Sequence, residues 1–381
     1  MKADEVYYET PLTSSLFHKA SRRKIPLSGT FEVSPLCNFD CRMCYVRQSE
    51  KQVQNHSRNM LTLEQWKTIA DEAEKKGLLY LLITGGEPFM WPDFWELYEY
   101  VSKKGFVITI NSNGSLIDEN VIERLKERPP FRINITLYGA SEETYERLCR
   151  NRGGFKKVDS AIRGLKEAGI QVKLNCSLTP YNVCDLEEMI RYAETQSVII
   201  ETNSYMFPPL RKDPTRIGEN DRFTPEEAAR WQLRRYHLQY GDERYERFLQ
   251  GICSGLIEPM GLDESCYDPI DGKVRCRAGS ASFWVTWDGY MLPCGMMPEP
   301  KVDLIENGFE KSWESLVKRT EKICLSRICT ECENQRICHS CAAMAMAETG
   351  EFGKIPIYLC KMMESMKEIA KIELDIRNSK K

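Results

Sequence analysis

From about residue 30 to residue 204, short apolar and β-branched runs alternate with amphipathic stretches, which predicts repeated strand–helix units around a parallel sheet. Strands are expected at 30–33, 79–84, 107–111, 132–137, 172–178 and 197–204, six in all, with helical spacing at 94–104, 119–126, 155–168 and 186–195. One further helix is legible residue by residue. Thr62 stands at its N-cap with Gln65 three residues later, Leu63, Trp66, Ile69, Ala70 and Ala73 recur at helical spacing, and Gly77 stops it. The pattern then breaks at Phe207-Pro208-Pro209 and Lys212-Asp213-Pro214, and a charged, Arg-rich helix is expected from Pro225 to about Gln250. From 258 to 360 periodicity is weak and Cys, Gly and Pro set the spacing, so loops are expected before an amphipathic helix at 359–376. The chain therefore divides into an N-terminal extension (1–29), an α/β barrel-like unit (30–204), a bridging helical segment (205–258), a cysteine-rich unit (259–362) and a C-terminal helix (363–381).

With 381 residues the chain is long enough for one large domain or two modest ones. Lys and Arg number 53 against 56 Asp and Glu, a net charge of -3, which removes the electrostatic footprint of a general nucleic-acid binder. The first residues are charged rather than apolar, and the longest apolar run, 78–83, is too short to span a bilayer. A soluble, cytoplasmic protein without nucleic-acid or membrane partners is expected. Its 16 cysteines are too many for an ordinary core and fall below the roughly 8–10% of a disulfide scaffold. In a reducing compartment, clustered thiols point to metal or iron–sulfur binding.

Cys37-x3-Cys41-x2-Cys44 follows directly on the first strand, where α/β sheets place their chemistry. Three thiolates on one short loop suit three irons of a cubane cluster and leave the fourth iron for a non-protein ligand. Structural zinc wants four ligands, and only His56 stands nearby; a redox Cys-x-x-Cys pair leaves Cys37 unexplained. Together with the aromatic Tyr45, and with Gly85-Gly86-Glu87-Pro88 after the second strand, this loop resembles the radical S-adenosylmethionine (radical SAM) superfamily.

The resemblance implies a partial (β/α)6 TIM-like barrel over about residues 30–204, with Cys37, Cys41 and Cys44 ligating a 4Fe-4S cluster whose open iron is chelated by the methionine part of S-adenosylmethionine. Gly85 and Gly86 would let backbone approach the methionine, and Glu87 would add an acceptor near its amino group. Ser112 and Asn113, in Asn111-Ser112-Asn113-Gly114, match the family's ribose-contacting stretch, and Thr136 the position of a ribose-binding Ser. Where relatives carry an Arg for the methionine carboxylate this chain has Cys149; its neighbours Arg147, Arg150 and Arg152 are alternatives, with Arg150 taken as the contact.

Farther on come Cys276-x12-Gly289-x4-Cys294, then Cys329-x2-Cys332-x5-Cys338-x2-Cys341, then Cys360, which resembles the SPASM extension of these enzymes and its two auxiliary 4Fe-4S clusters. By that resemblance Cys276, Cys294 and Cys341 belong to the first auxiliary cluster with Cys266 as fourth ligand, and Cys329, Cys332, Cys338 and Cys360 hold the second. The final x2 is one residue shorter than usual, and Cys324 competes with Cys266 for its place. A zinc ribbon or a single-cluster variant stays an alternative here. Cys149, Cys176, Cys184 and Cys253 read as small buried hydrophobes, and of the histidines only His339 lies within the cluster loop.

The resemblance implies reductive cleavage of S-adenosylmethionine to a 5′-deoxyadenosyl radical, hydrogen abstraction, and an oxidative modification of a ribosomally made peptide, with an external flavodoxin- or ferredoxin-type electron donor. Alternatives are a small-molecule dehydrogenase or epimerase, an anaerobic sulfatase maturase, or a non-catalytic electron carrier. Gly295 stands where sulfatase maturases have Asp, and Gly85, Gly86, Glu87 and Pro88 argue against a carrier. Peptide maturases often begin with a precursor-recognition domain, whereas 36 residues precede Cys37, so a separate recognition protein or a groove at 205–258 is expected. Asp288, Tyr138 and Asp268 are acid–base candidates, none of them assigned; Asp288 in Trp287-Asp288-Gly289 reads more simply as a turn residue.

Overall fold

The computed structural model describes residues 11–255 and 272–379. Helix α1 (Pro11–Arg23) leads into β1 (Ser28–Glu32), and α2 (Glu50–Gln54) and α3 (Leu63–Lys75) return the chain to β2 (Tyr80–Thr84). The units repeat through α4 (Phe94–Ser102), β3 (Val107–Ser112), α5 (Glu119–Glu127) and β4 (Arg132–Thr136). They finish with α6 (Glu142–Cys149), α7 (Gly154–Glu167), β5 (Val172–Ser177), α8 (Leu186–Thr195) and β6 (Ile199–Asn203). Neighbouring strands pair in parallel and in chain order, Thr30 opposite Leu82, Ile110 opposite Ile133 and Leu174 opposite Ile200. The six expected strands are thus an open (β/α)6 sheet, with helices on its outer face. At that face Phe31 lies fully buried against Trp66 of α3, ring centres 5.0 Å apart. The capping box of α3 forms as read: Gln65 N–H donates to Thr62 Oγ1 at 3.3 Å, and Thr62 N–H donates to Gln65 Oε1 at 2.9 Å.

At the β6 edge a helix takes the place of a further strand. Helix α9 (Pro225–Ser254) is the expected bridging helix, but Gly241 at φ 75° breaks it into two segments. One face of its first segment bonds to the edge: Gln239 Nε2 donates to the Ile200 carbonyl at 2.9 Å, and Ser204 Oγ donates to Gln232 Oε1 at 3.0 Å.

The other edge departs from expectation. The cysteine-rich unit is not only loops: β7 (Ser282–Val285) pairs parallel with β1, and β8 (Tyr290–Leu292) and β9 (Val302–Asp303) follow antiparallel. One nine-stranded sheet results, in the order β6-β5-β4-β3-β2-β1-β7-β8-β9. Its signal was present, since two apolar runs flank Asp288-Gly289, a hairpin dipeptide, and Gly289 takes φ 88°. Gly29 of β1 makes the junction close, because a Cβ there would lie 2.4 Å from the Phe283 ring.

Helix α10 (Leu304–Thr320) also stands where the sequence pattern predicts loops. Phe309, Trp313, Leu316 and Val317 recur at helical spacing and are buried, but Gly308 at φ 69° interrupts the start of the helix and obscures its period. Short α11 (Arg327–Thr330) and α12 (Ala342–Thr349) follow, and α13 (Ile357–Asn378) packs along α9, where Tyr245 donates to Glu373 at 2.9 Å. A buried ion pair between Arg222 and Glu348, 2.6 Å apart, ties the segment after β6 to α12, and the Tyr205 hydroxyl donates to the same carboxylate at 2.6 Å. No helix among the described residues is long and apolar enough to cross a membrane.

Candidate active site and metal centres

The loop bearing Cys37, Cys41 and Cys44 leaves the carboxyl end of β1 and is held on two sides. On one, the backbone N–H groups of Gly86 and Glu87 donate to the carbonyls of Ser34 at 2.7 Å and Leu36 at 2.8 Å. A Cβ at Gly85 would sit 2.5 Å from the Ser34 oxygen, and one at Gly86 would sit 2.3 Å from the Leu36 oxygen. Only glycine permits this approach. On the other side, Asp40 and Arg42 donate backbone N–H groups to the carbonyls of Cys149 and Leu148 at the end of α6.

The sulfurs receive hydrogen bonds that suit thiolates. Cys37 Sγ accepts from Phe39 N–H at 3.4 Å and from Asn113 Nδ2 at 3.6 Å, and Cys44 Sγ accepts from Arg47 N–H at 3.2 Å. Burial nevertheless pushes the Cys37 thiol up to about 12 and raises Cys44, while hydrogen bonds from Cys149 and Tyr138 lower Cys41. Metal binding here would release thiol protons and supply the positive charge that burial lacks.

Glu87 is fully buried and tied to the protein itself. Its carboxylate accepts from Ser112 Oγ at 2.9 Å, Asn113 N–H at 2.7 Å and Phe89 N–H at 3.3 Å, and burial raises it to about 7. Pro88 starts the short turn that follows. Asn113 reaches back to Asn38 Oδ1 at 2.9 Å, so the turns after β2 and β3 brace the cysteine loop through one network. Thr136 ends β4, two residues before Tyr138. Arg150, in left-handed conformation at φ 54°, donates to Asp40 of the cysteine loop at 2.7 Å. Arg147 points to the Tyr181 carbonyl and Arg152 to Glu146.

The later cysteines fall into two groups. Cys329, Cys332, Cys338 and Cys360 line one cavity of about 150 Å³. Cys276, Cys294 and Cys341 line a second of about 190 Å³, whose wall Cys338 and His339 share. Burial raises Cys338 and Cys341 to about 11. Cys324 lines neither cavity and sits 3.3 Å from the Lys273 ammonium. Cys266 and Asp268 lie outside the described residues. Among the described residues no three His, Cys, Asp or Glu side chains converge tightly enough for a single metal ion.

One arrangement escaped the sequence reading. Glu32, the last residue of β1, is fully buried, accepts two hydrogen bonds from Arg211 at 2.7 and 2.9 Å, and accepts a third from Trp284 Nε1 at 2.9 Å. The off-pattern charge in Thr30-Phe31-Glu32-Val33 was its signal. Glu32 and Arg211 border a polar cavity of about 470 Å³ that Tyr45 of the cysteine loop and Lys212 and Ile217 of the bridging segment also line. Asp288 faces the same cavity, its Oδ1 accepting from Thr286 at 2.6 Å, with His56 3.9 Å away.

An open sheet of sequential βα units, with a three-thiol loop at the end of its first strand and a glycine turn packed on that loop, defines a class of iron–sulfur barrel enzymes. Residues 31–193 match the family model described as the Radical SAM superfamily. The chain is 31% identical over 335 residues to the mycofactocin maturase MftC of Mycobacterium tuberculosis, a match covering 85% of this chain and 80% of the relative. Identity to the antilisterial bacteriocin subtilosin biosynthesis protein AlbA of Bacillus subtilis is 30% over 77% of this chain and 59% of the relative. To the AdoMet-dependent heme synthase of Methanosarcina barkeri it is 23%, over 84% of this chain and 93% of the relative. Among solved structures, anSMEcpe with bound AdoMet superposes with a TM-score of 0.67 at 18% identity, covering 93% of this chain and 100% of that one. Streptococcus suis SuiB bound to the precursor peptide SuiA gives 0.63 at 18%, covering 90% and 79%. The chain belongs to the radical SAM superfamily, and that membership implies an enzyme with S-adenosylmethionine and a 4Fe-4S cluster.

Proposed function

We propose that this protein is a cytoplasmic radical SAM enzyme that oxidatively modifies a ribosomally made peptide. The observation that carries the reading is similarity to the mycofactocin maturase MftC, 31% over 85% of this chain and 80% of the relative, joined to a cysteine loop held at the end of β1. Cys37, Cys41 and Cys44 would hold the radical cluster. Cys329, Cys332, Cys338 and Cys360 would hold one auxiliary cluster, and Cys276, Cys294 and Cys341, with Cys266, another. When bound, the cluster and S-adenosylmethionine supply a 5′-deoxyadenosyl radical for hydrogen abstraction.

The chain's own residues do the positioning. The turn at Gly85 and Gly86 fixes the loop against β2, and Glu87, Ser112 and Asn113 lock that turn to the next. The backbone of these turns, Tyr45, Thr136 and Arg150 are the cofactor contacts we assign. The polar cavity beside Tyr45 is wide enough for a peptide segment and is walled by the bridging segment, which takes the role of a recognition groove beside any separate recognition protein. A flavodoxin- or ferredoxin-type donor supplies the electron. A small-molecule reading is favoured by one observation, the match covering 93% of the heme synthase.

Anaerobic reconstitution with dithionite and S-adenosylmethionine tests the enzyme reading by the appearance of 5′-deoxyadenosine; none formed would refute it. Incubation with a peptide encoded beside the gene should give a mass change. A Cys37/Cys41/Cys44 triple Ala variant should keep about eight irons if two auxiliary clusters are present.

A further inference from the structure

Between the β6 edge, α9, α12, α13 and the Cys338 loop lies a cavity of about 340 Å³ to which the Cys37–Cys44 loop and the Gly85-Gly86 turn contribute nothing. Its walls are largely apolar, built from Met344, Met362, Met363, Met366 and Phe248. Among the described residues that line it, Arg235 of α9 is the one Lys or Arg, and His339 also borders it. The guanidinium bonds only to neutral acceptors: Nε to Gln232 Oε1 at 2.9 Å, and Nη1 to Thr202 Oγ1 at 3.3 Å and Gln239 Oε1 at 3.4 Å. Its Nη2 group makes no hydrogen bond among the described residues. Glu201 also borders the cavity, but its carboxylate is paired with Lys173. Burial lowers the pKa of Arg235, opposed in part by Tyr240 and by the charge of Glu201, which makes no direct hydrogen bond to it.

A half-buried guanidinium facing a largely apolar cavity is costly unless an anion pairs with it. A sequence under no other demand would place Gln or Met here, since Gln232 and Gln239 already bond the β6 edge. The free Nη2 edge is the part of an arginine that pairs with carboxylate oxygens. The methionine walls accept flexible apolar chains of varied shape.

We propose that this cavity binds a carboxylate carried on an apolar chain, with Arg235 as its anchor. The inference stands on the cavity and does not depend on the radical reading. A carboxylate of this kind comes either from a small acid or from the end of an apolar peptide, and the same sulfur-bearing loop, Cys338, flanks the bound group.

Calorimetric titration of the full-length reconstituted protein distinguishes the sources. Hexanoate is compared with hexanamide, and acetyl-leucyl-alanyl-leucine with its C-terminal amide. At least one acid should bind about tenfold more tightly than its amide, about 1.4 kcal/mol, and Arg235→Gln should erase that preference. Preference in the first pair alone assigns a small acid; preference in the second alone assigns a peptide end. Because Arg235 also bonds Thr202 and Gln239, Met363→Trp gives a second variant that fills the cavity and leaves the guanidinium; it should abolish acid binding. Equal affinity for acid and amide in both pairs, a preference surviving Arg235→Gln, or binding retained in Met363→Trp overturns the proposal.

Discussion

Replacing Gly86 with Ala sets a methyl group 2.3 Å from the Leu36 carbonyl oxygen and 2.8 Å from that of Pro35. Gly86 does not occupy left-handed backbone, so conformational strain is not the cost; the clash is. Relieving it requires the turn after β2 to retreat from the cysteine loop by about 1 Å, to ordinary van der Waals separation. That retreat weakens the two bonds joining the segments, Gly86 N–H to Ser34 and Glu87 N–H to Leu36. At about 1 kcal/mol each, the stability loss is about 2 kcal/mol, or roughly 2–3 °C in melting temperature for a chain of this size. The functional loss is larger, because a displacement of about 1 Å in a positioning element costs roughly 100-fold in rate. Thermal melts, iron content and 5′-deoxyadenosine formation should therefore report a modest destabilisation, unchanged iron and cleavage reduced about 100-fold. Gly353→Ala is the control, since its nearest neighbour, the Cys324 carbonyl, would be 3.8 Å away. A Gly86→Ala protein that melts and cleaves like wild type would show that the turn is not set by contact with the loop.

Glu87→Gln should remove a pH dependence of stability. With its carboxyl raised from 4.5 to about 7, native Glu87 holds its proton more tightly than in the unfolded chain, so the stability it contributes is complete below about pH 4.5 and lost as pH rises through about 7. The wild-type minus variant difference in unfolding free energy should fall by about 3 kcal/mol across that window in urea titrations of the cluster-free protein; a flat difference refutes the assignment. Cys324→Ser should leave iron content unchanged after reconstitution, whereas loss of about four irons would make Cys324 a cluster ligand. Glu348→Ala leaves Arg222 buried without its partner and should cost about 3–5 kcal/mol by chemical denaturation; a loss under about 1 kcal/mol would mean the pair is solvated in solution.

The parallel sheet was legible because each strand carries its own period and each crossover its own amphipathic helix, as Thr62, Trp66 and Ile69 show for α3. The thiols are legible through motif: the SPASM resemblance groups Cys329, Cys332, Cys338 and Cys360, and the same four line one cavity. What escaped was non-local. Nothing near Ser28 announces that its strand pairs with Ser282, and a four-residue strand at 282–285 with three apolar residues is too short to separate from loop by periodicity. Glu87 was read as a cofactor contact because its motif is local, yet its partners Ser112 and Asn113 lie in the next βα turn. The row Gln232, Arg235 and Gln239 looks in sequence like an ordinary charged helix face, and only the β6 edge beside it gives it meaning.

The pairing of β1 with β7 also bears on how the chain is made. During synthesis β1 emerges with one edge open, and its partner follows some 250 residues later. At roughly 5–20 residues per second that interval lasts about 12–50 s. Throughout it the nascent barrel presents an unpaired strand edge, the surface on which chains add to one another. Gly29, whose missing side chain makes room for the Phe283 ring, meets that ring only when residue 283 has been made. A ribosome stall between residues 204 and 282 should therefore yield an aggregation-prone barrel rather than a smaller stable one.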